Sequence, residues 1–370
     1  MLKSEPMEEI LNRKFIYAEL VETLKKKQSC VLATVADTTG SAPQVPGSSA
    51  VFDENGLLFG TVGGGKVEYT IQKKAVQAIQ NETSGYYRFH LDDDISAEDS
   101  AICGGTMRIL IDASPEKHLP VFKALTESII KRIPGILVSF LKSNATGKMD
   151  LERFWVTAEN FGEASGKLHK DIAQKMEEML RAPGAGDLRV IVEHTSPEFE
   201  DNYIFLEGVA PLPRLIIAGA GHVGKALAHM GKLLDFEVTV WDDRPEFANK
   251  ENLPSADKIL CGKMEEALGE IVPGRDTFIV IVTRGHKNDS EVLKHFIRSE
   301  AGYIGMMGSR KKVVQLRGLF LKNGWATSEQ WDKVYTPIGL PVHSKTVQEI
   351  AVSIAAQLIQ VRSQLNKTDG

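Results

Sequence analysis

Cysteine is scarce: Cys30, Cys103 and Cys261 are the only three in 370 residues. An odd number at wide spacing makes no disulfide framework and fits a reducing compartment. The chain has no CxxC, no HExxH and no cysteine–histidine cluster, which excludes the usual structural zinc sites. Long apolar runs are missing as well. No window approaches the roughly 18 apolar residues of a membrane span, and the opening MLKSEPMEEILNRKF is polar where a secretory leader has an apolar centre. A cytoplasmic protein with no membrane partner is expected. Positive charge is not in excess either: the formal net charge is -5, without the basic footprint that nucleic acid requires. No like-charge block, internal repeat or low-complexity segment is present.

What remains is an ordinary globular composition in a chain longer than one core usually serves, so two domains are expected. The boundary is drawn at VAPLPRLIIAGAGHVG, where Pro211 and Pro213 punctuate the chain just before a new apolar strand. The expected arrangement is an N-terminal domain over 1–209, a linker over 210–213 and a C-terminal domain over 214–370. In the first domain a helix starts near Ser4 to Pro6, CVLATVA reads as a buried strand, and SAVFD and LLFGTV form a hairpin turning at Asn55 and Gly56. Further strand patterns alternate with helices near Pro120 to Lys131 and His169 to Arg181, giving a mixed α/β (α+β) fold. After the linker the rhythm changes to strand, glycine loop, helix, strand. With helices between the later strands and a long closing helix, it predicts a Rossmann-like doubly wound parallel sheet.

Gly219, Gly221 and Gly224 form GxGxxG in that setting, with His222 opening the helix behind them and Asp242 and Asp243 closing the next strand. The first glycine serves a tight turn, the second lets a phosphate approach the backbone, and the helix N-terminus attracts the anion; the acid can take a ribose hydroxyl. The same glycines also serve packing alone. One strand end further on, TRGHKND supplies Thr283, Arg284, His286 and Asp289. Arg284 suits a phosphate and His286 a proton relay, although a solvated loop with Asn288 capping the next helix fits equally. YIGMMGSRKK sets Gly308, Ser309 and Arg310 at another helix start, where oxyanions are favoured.

In the N-terminal domain Gly63, Gly64 and Gly65 precede a helix whose first turn holds Lys66 and Glu68, either an anion cradle or a favourable dipole arrangement. The stretch ICGGT places Cys103 before Gly104 and Gly105. A thiol among glycine amides can become a metal ligand or sulfur carrier, and it can equally be an inert buried cysteine.

Together these segments resemble the XdhC/CoxI family, the accessory proteins of xanthine dehydrogenase and related molybdenum hydroxylases. GSAPQVPGSSAVFDENGLLFGTVGGGKVE is similar to its N-terminal signature and ICGG to its glycine–cysteine site. The glycine-loop domain with TRGH, GMMGSRKK and PIGLPVHSKTVQEIAVSIAAQLI is similar to its C-terminal half. The resemblance implies binding of the molybdenum cofactor, as molybdopterin free or nucleotide-linked. It also implies help to a cysteine desulfurase in sulfuration and delivery to an apo-xanthine dehydrogenase or related hydroxylase. Cys103 would then meet molybdenum or incoming sulfur, and the loops at Gly63 to Gly65 and Gly219 to Gly224 would hold phosphate. Many relatives carry cysteine where this chain has Lys66, which removes any two-thiol scheme and favours an anion role there. A maturation factor able to form a homodimer is thus weighed against an NAD(P)-dependent oxidoreductase or a nucleotide sensor.

Overall fold

The run CVLATVA becomes a strand buried on both faces, which is why it shows no polar alternation. This is β1 (Val31–Thr39). Val31, Ala33 and Val35 face Val67, Ile71, Ala75 and Ala78, the apolar stripe of helix α2 (Gly65–Asn81). Cys30 and Leu32 face the other way, toward α1 (Ile16–Lys25) and α3 (Leu119–Ile130), through Leu20, Leu24, Phe122 and Leu125. In this computed structural model residues 16–90, 105–143, 149–166, 168–181, 189–193 and 203–368 are described. They form two units that divide between Pro211 and Leu212. The expected helix start near Ser4 to Pro6 lies outside the described residues.

β1 is the centre of an antiparallel sheet that also holds β2 (Ser49–Asp53), β3 (Gly56–Gly60), β4 (Gly85–His90) and β5 (Thr106–Asp112), in the order β3-β2-β1-β5-β4. The β2–β3 hairpin pairs Asp53 with Gly56, so its turn residues are Glu54 and Asn55, one position before the expected Asn55–Gly56 turn. Asp53 decides this, since its Oδ1 accepts from Asn55 N at 2.8 Å and Gly56 N at 3.1 Å.

The second antiparallel sheet of this unit runs β7-β6-β9-β8, from β6 (Gly135–Ser143), β7 (Met149–Val156), β8 (Arg189–Glu193) and β9 (Tyr203–Val209). Between β7 and β8 come α4 (Phe161–Ser165) and α5 (Lys170–Arg181); Ile172 and Met176 of α5 cover Ile136, Val138, Ile204 and Leu206. Burying one such aliphatic side chain stabilises by about 1.5–3 kcal/mol. Two sheets and their helices give the α+β fold expected from the sequence.

Arg153 ties the two sheets together. Its Nε donates to Asp112 Oδ2 at 3.0 Å and its Nη1 to Ser139 Oγ at 2.8 Å, with both partners of the ion pair almost wholly buried. Nearby, Tyr17 donates to Glu207 Oε1 at 2.6 Å. His118, in the turn before α3, lies beside this network. Burial pulls its pKa below the ordinary 6.5, and Arg153 adds to that against the opposing pull of Asp112. The unfolded chain therefore takes up a proton first as pH falls below about 6.5, and the stability that neutral His118 contributes is lost on acidification. Denaturation midpoints measured between pH 7 and pH 5 are expected to fall less steeply in His118→Gln than in the parent. An equal or steeper fall in the variant would refute the assignment.

The second unit is a parallel sheet of β10 (Arg214–Ala218), β11 (Glu237–Asp242), β12 (Lys258–Cys261), β13 (Thr277–Ile281) and β14 (Tyr303–Met306), in the order β12-β11-β10-β13-β14. Leu215 and Ile217 face α6 (His222–Leu233) and α11 (Val347–Thr368), where Leu227, Ile354 and Leu358 meet them. Ile216 and Ala218 face α8 (His286–Phe296) and α9 (Arg310–Lys322), through Val292, Phe296 and Leu316. This is the expected Rossmann-like sheet with helices on both faces. No helix joins β11 to β12, where turns run from 243 to 257. Pro245, Asn249, Asn252 and Pro254 break that crossover, and the side chains of Asn249 and Asn252 bond backbone within it. Only the five-residue α7 (Met264–Leu268) stands between β12 and β13, while α10 (Ser328–Asp332) follows α9 under a Thr327–Gln330 capping box. Among the described residues no helix is long and apolar enough to cross a membrane.

Candidate functional site

The strand order reverses around β10, whose neighbours are β11 on one side and β13 on the other. In open α/β sheets the crevice at that point, beyond the carboxyl ends of the strands, is where ligands bind. The loop that enters it is GAGHVG, and its three glycines answer to three different demands. Gly219 has φ 117° and a Cβ there would lie 2.5 Å from Val282 O, so the turn tolerates no side chain. At Gly224 a Cβ would sit 1.8 Å from Gly219 O, which is helix–strand packing. Gly221, ahead of His222 at the start of α6, has open space where its Cβ would be. Packing does not explain that glycine.

Asp242, at the end of β11, holds the loop from below. Its Oδ2 accepts from Ala220 N at 2.8 Å and Arg244 Nη2 at 3.0 Å, and its Oδ1 from Arg244 N at 3.1 Å and Arg244 Nε at 2.9 Å. Burial pushes this carboxyl up, but the bonds from Arg244 and Ala220 outweigh it and hold the pKa below the usual value. Asp243 beside it is exposed, and its Oδ2 accepts from Asn288 Nδ2 at 3.4 Å.

The TRGH loop follows β13. Thr283 donates from Oγ1 to Asp289 Oδ1 at 2.6 Å and from its backbone N at 3.2 Å. Asp289 also pairs with Lys312, whose Nζ reaches Met307 O at 3.2 Å. One lysine of α9 thus ties the ends of β13 and β14 through a carboxylate that is 2% exposed. His286 is the first residue of α8 and Gly285, at φ 101°, precedes it. Asn288 does not cap this helix; it lies inside the first turn and donates to Asp243, because the chain enters the helix two residues earlier. Arg284 is exposed, as are Ser309 and Arg310. Ser309 caps α9 by accepting from Lys312 N at 3.3 Å, and a Cβ on Gly308 would press on Lys312 at 3.2 Å. The structure therefore sets Gly219, Gly221, His222, Gly224, Asp242, Thr283, Arg284, His286, Gly308, Ser309 and Arg310 along one edge of one sheet. Arg244 and Lys312 join them without having been singled out by sequence. A signal for Arg244 exists, since an arginine two residues after a strand-end aspartate can close on it through an Asx turn.

In the first unit Gly63, Gly64 and Gly65 have φ of 130°, 53° and 58°, and open space surrounds the Cβ positions of the last two. Lys66 is the second residue of α2. Glu68 reaches back into the loop, where Oε2 accepts from Thr61 Oγ1 at 3.2 Å and Gly64 N at 3.3 Å. A carboxylate of the protein thus already answers this helix start. Gly105 is needed for backbone contact, since its Cβ would lie 2.3 Å from Ser41 O. Cys103 and Gly104 lie outside the described residues. Cys30 is buried, with its thiol pushed up to about 12 mainly by desolvation, while Cys261 is exposed. Among the described residues no group of three or more His, Cys, Asp or Glu could hold a metal ion.

Both units match known families. Residues 23–90 match the XdhC and CoxI family, and residues 215–358 match the XdhC Rossmann domain. The chain belongs to the XdhC and CoxI family. A probable xanthine dehydrogenase subunit of Bacillus subtilis (strain 168) is 24% identical over 350 residues, covering 92% of this chain and 96% of that protein. The uncharacterized protein YqeB of Escherichia coli (strain K12) is 32% identical over 161 residues, which are 43% of this chain and 29% of that one. A crystal structure described as a xanthine dehydrogenase from Bacillus halodurans superposes with a TM-score of 0.74 at 26% identity, over 94% of this chain and 96% of its own. In this XdhC-family chain the Rossmann match runs from β10 into α11, and the N-terminal match spans α2 and its glycine run.

Proposed function

We propose that this protein is a maturation factor that binds the molybdenum cofactor, assists its sulfuration with a cysteine desulfurase, and delivers it to an apo-xanthine dehydrogenase-type hydroxylase. The observation that carries the proposal is Gly221: an open approach to a helix N-terminus in a chain whose two halves both match XdhC. Relatives named for xanthine dehydrogenase support it. The crevice amides suit a phosphate, whether on the pterin or on an attached nucleotide, and Cys103 offers the soft donor that molybdenum or sulfur requires. Lys66 adds positive charge to the glycine run rather than a second thiol. Binding and handover need no acid–base pair, so the protein acts as a carrier more than as a catalyst.

The test is to express the protein in cells that make molybdenum cofactor and to oxidise the purified sample in acid. Fluorescent pterin is expected in the parent, with a several-fold lower load in Cys103→Ala. Protein free of pterin and molybdenum would overturn the proposal. A hydride-transfer role for an NAD(P)-dependent enzyme would require His286 or Arg284 against a substrate; turnover of a nicotinamide cofactor without bound pterin would favour it.

A further inference from the structure

The ribose end of the crevice is not built for a ribose diol. In this fold NAD is held by an acidic side chain at the end of the second strand, which accepts from the ribose 2′-hydroxyl, whereas a 2′-phosphate is met by an arginine nearby. Asp242 stands in the acid's place and has no capacity left. A carboxylate offers about four acceptor sites, and Asp242 fills them with Ala220 N, Arg244 N, Arg244 Nε and Arg244 Nη2 at 2.8, 3.1, 2.9 and 3.0 Å. The residue is 3% exposed. A ribose hydroxyl would have to displace either a guanidinium bond in which both partners are charged, or a backbone N–H that holds the loop.

Arg244 is in the opposite condition. Only its Nε–Nη2 edge is used on Asp242, and a guanidinium carries about five N–H donors in a planar fork, so roughly three point elsewhere. Its side chain is 23% exposed. The guanidinium carbon lies 3.9 Å from the ring centre of Phe247, which fixes the plane of the fork. A rigid, charged, partly exposed fork beside a glycine loop suits an oxyanion. The geometry points to a nucleotide carrying a phosphate on its adenosine 2′-oxygen, as in NADP(H), as a ligand of this crevice, with Arg244 as the residue that selects it. Asp243 sets the opposing term: its Oδ1 is 3.8 Å from Arg244 Nε, and its charge weakens the hold on a phosphate dianion.

This inference goes beyond the cofactor proposal and does not depend on it. The full chain, made in cells that lack molybdenum-cofactor synthesis, is titrated with NADPH and NADH by fluorescence, and with 2′-phospho-ADP-ribose and ADP-ribose by calorimetry. The phosphorylated member of each pair is expected to bind about tenfold tighter or more. Arg244→Leu should bring the two together and Asp243→Asn should tighten NADPH. Equal or tighter binding of NADH, no binding of either, a preference that survives Arg244→Leu, or weaker NADPH binding in Asp243→Asn would overturn it. The parent ratio decides even if the arginine variant folds poorly. Pterin load is scored separately in cofactor-making cells. A 2′-phosphate preference without pterin defeats only the maturation proposal, and pterin without the preference defeats only this one.

Discussion

Replacing Arg153 by leucine is expected to destabilise the N-terminal unit by about 3–5 kcal/mol, the cost of leaving one member of a buried ion pair alone. The partner left behind is Asp112, 1% exposed, to which Ser114 N still donates at 3.1 Å on Oδ1. Ser139 Oγ, 2% exposed as a residue, loses its donor at the same time. Replacing both charges, with Arg153→Met and Asp112→Leu together, should cost far less, because nothing charged is then stranded in the interior. Amide hydrogen exchange on β6 and β7 is the right measurement, since it reports this unit without assuming that both units unfold together. A loss below about 1 kcal/mol in the single variant would mean that water reaches Asp112 and that the pair is not a buried one.

No local pattern announces that pair. Arg153 falls in MDLERFWV on the face that alternation gives to Met149, Leu151 and Trp155, a charge in an apolar phase, but nothing in the strand names its partner, which is 41 residues earlier in another sheet. Sequence patterns report which face of an element is apolar, but a single buried polar contact between distant elements leaves no periodic trace. Elements whose stabilisation is local or repetitive are legible: β1 from its unbroken apolar run, α2 from the stripe Val67, Ile71, Ala75 and Ala78, and the Rossmann unit from strand, glycine loop and helix in order. The crossover from β11 to β12 carries no helix because its prolines and asparagines do not permit one. Much the same holds for the site. The positions along the sheet edge can be read, since strand ends place them, whereas the state of Asp242 cannot. Whether that carboxylate meets a ligand or Arg244 depends on a side-chain choice two residues away.

Two alanine substitutions in the glycine loop are expected to fail in opposite ways. Gly224→Ala sets a methyl 1.8 Å from Gly219 O, so α6 must move off β10, and overpacking of this kind costs about 1–3 kcal/mol. Its melting temperature should fall, and ligand binding should fall with it. Gly221 has φ −69° and ψ −171°, a conformation open to alanine, and nothing stands within 4 Å of the added carbon. Stability in Gly221→Ala should stay within about 0.5 kcal/mol of the parent, or rise slightly because the unfolded chain becomes less free. Binding should nevertheless drop by on the order of tenfold or more, since the methyl takes the space through which a phosphate reaches the helix amides. Thermal melts paired with nucleotide titration and pterin load on both variants check this. Full binding by Gly221→Ala would show that no ligand uses the space beside Gly221. Normal stability with lost binding would establish the crevice at the end of β10 as an anion site independently of which nucleotide or pterin fills it.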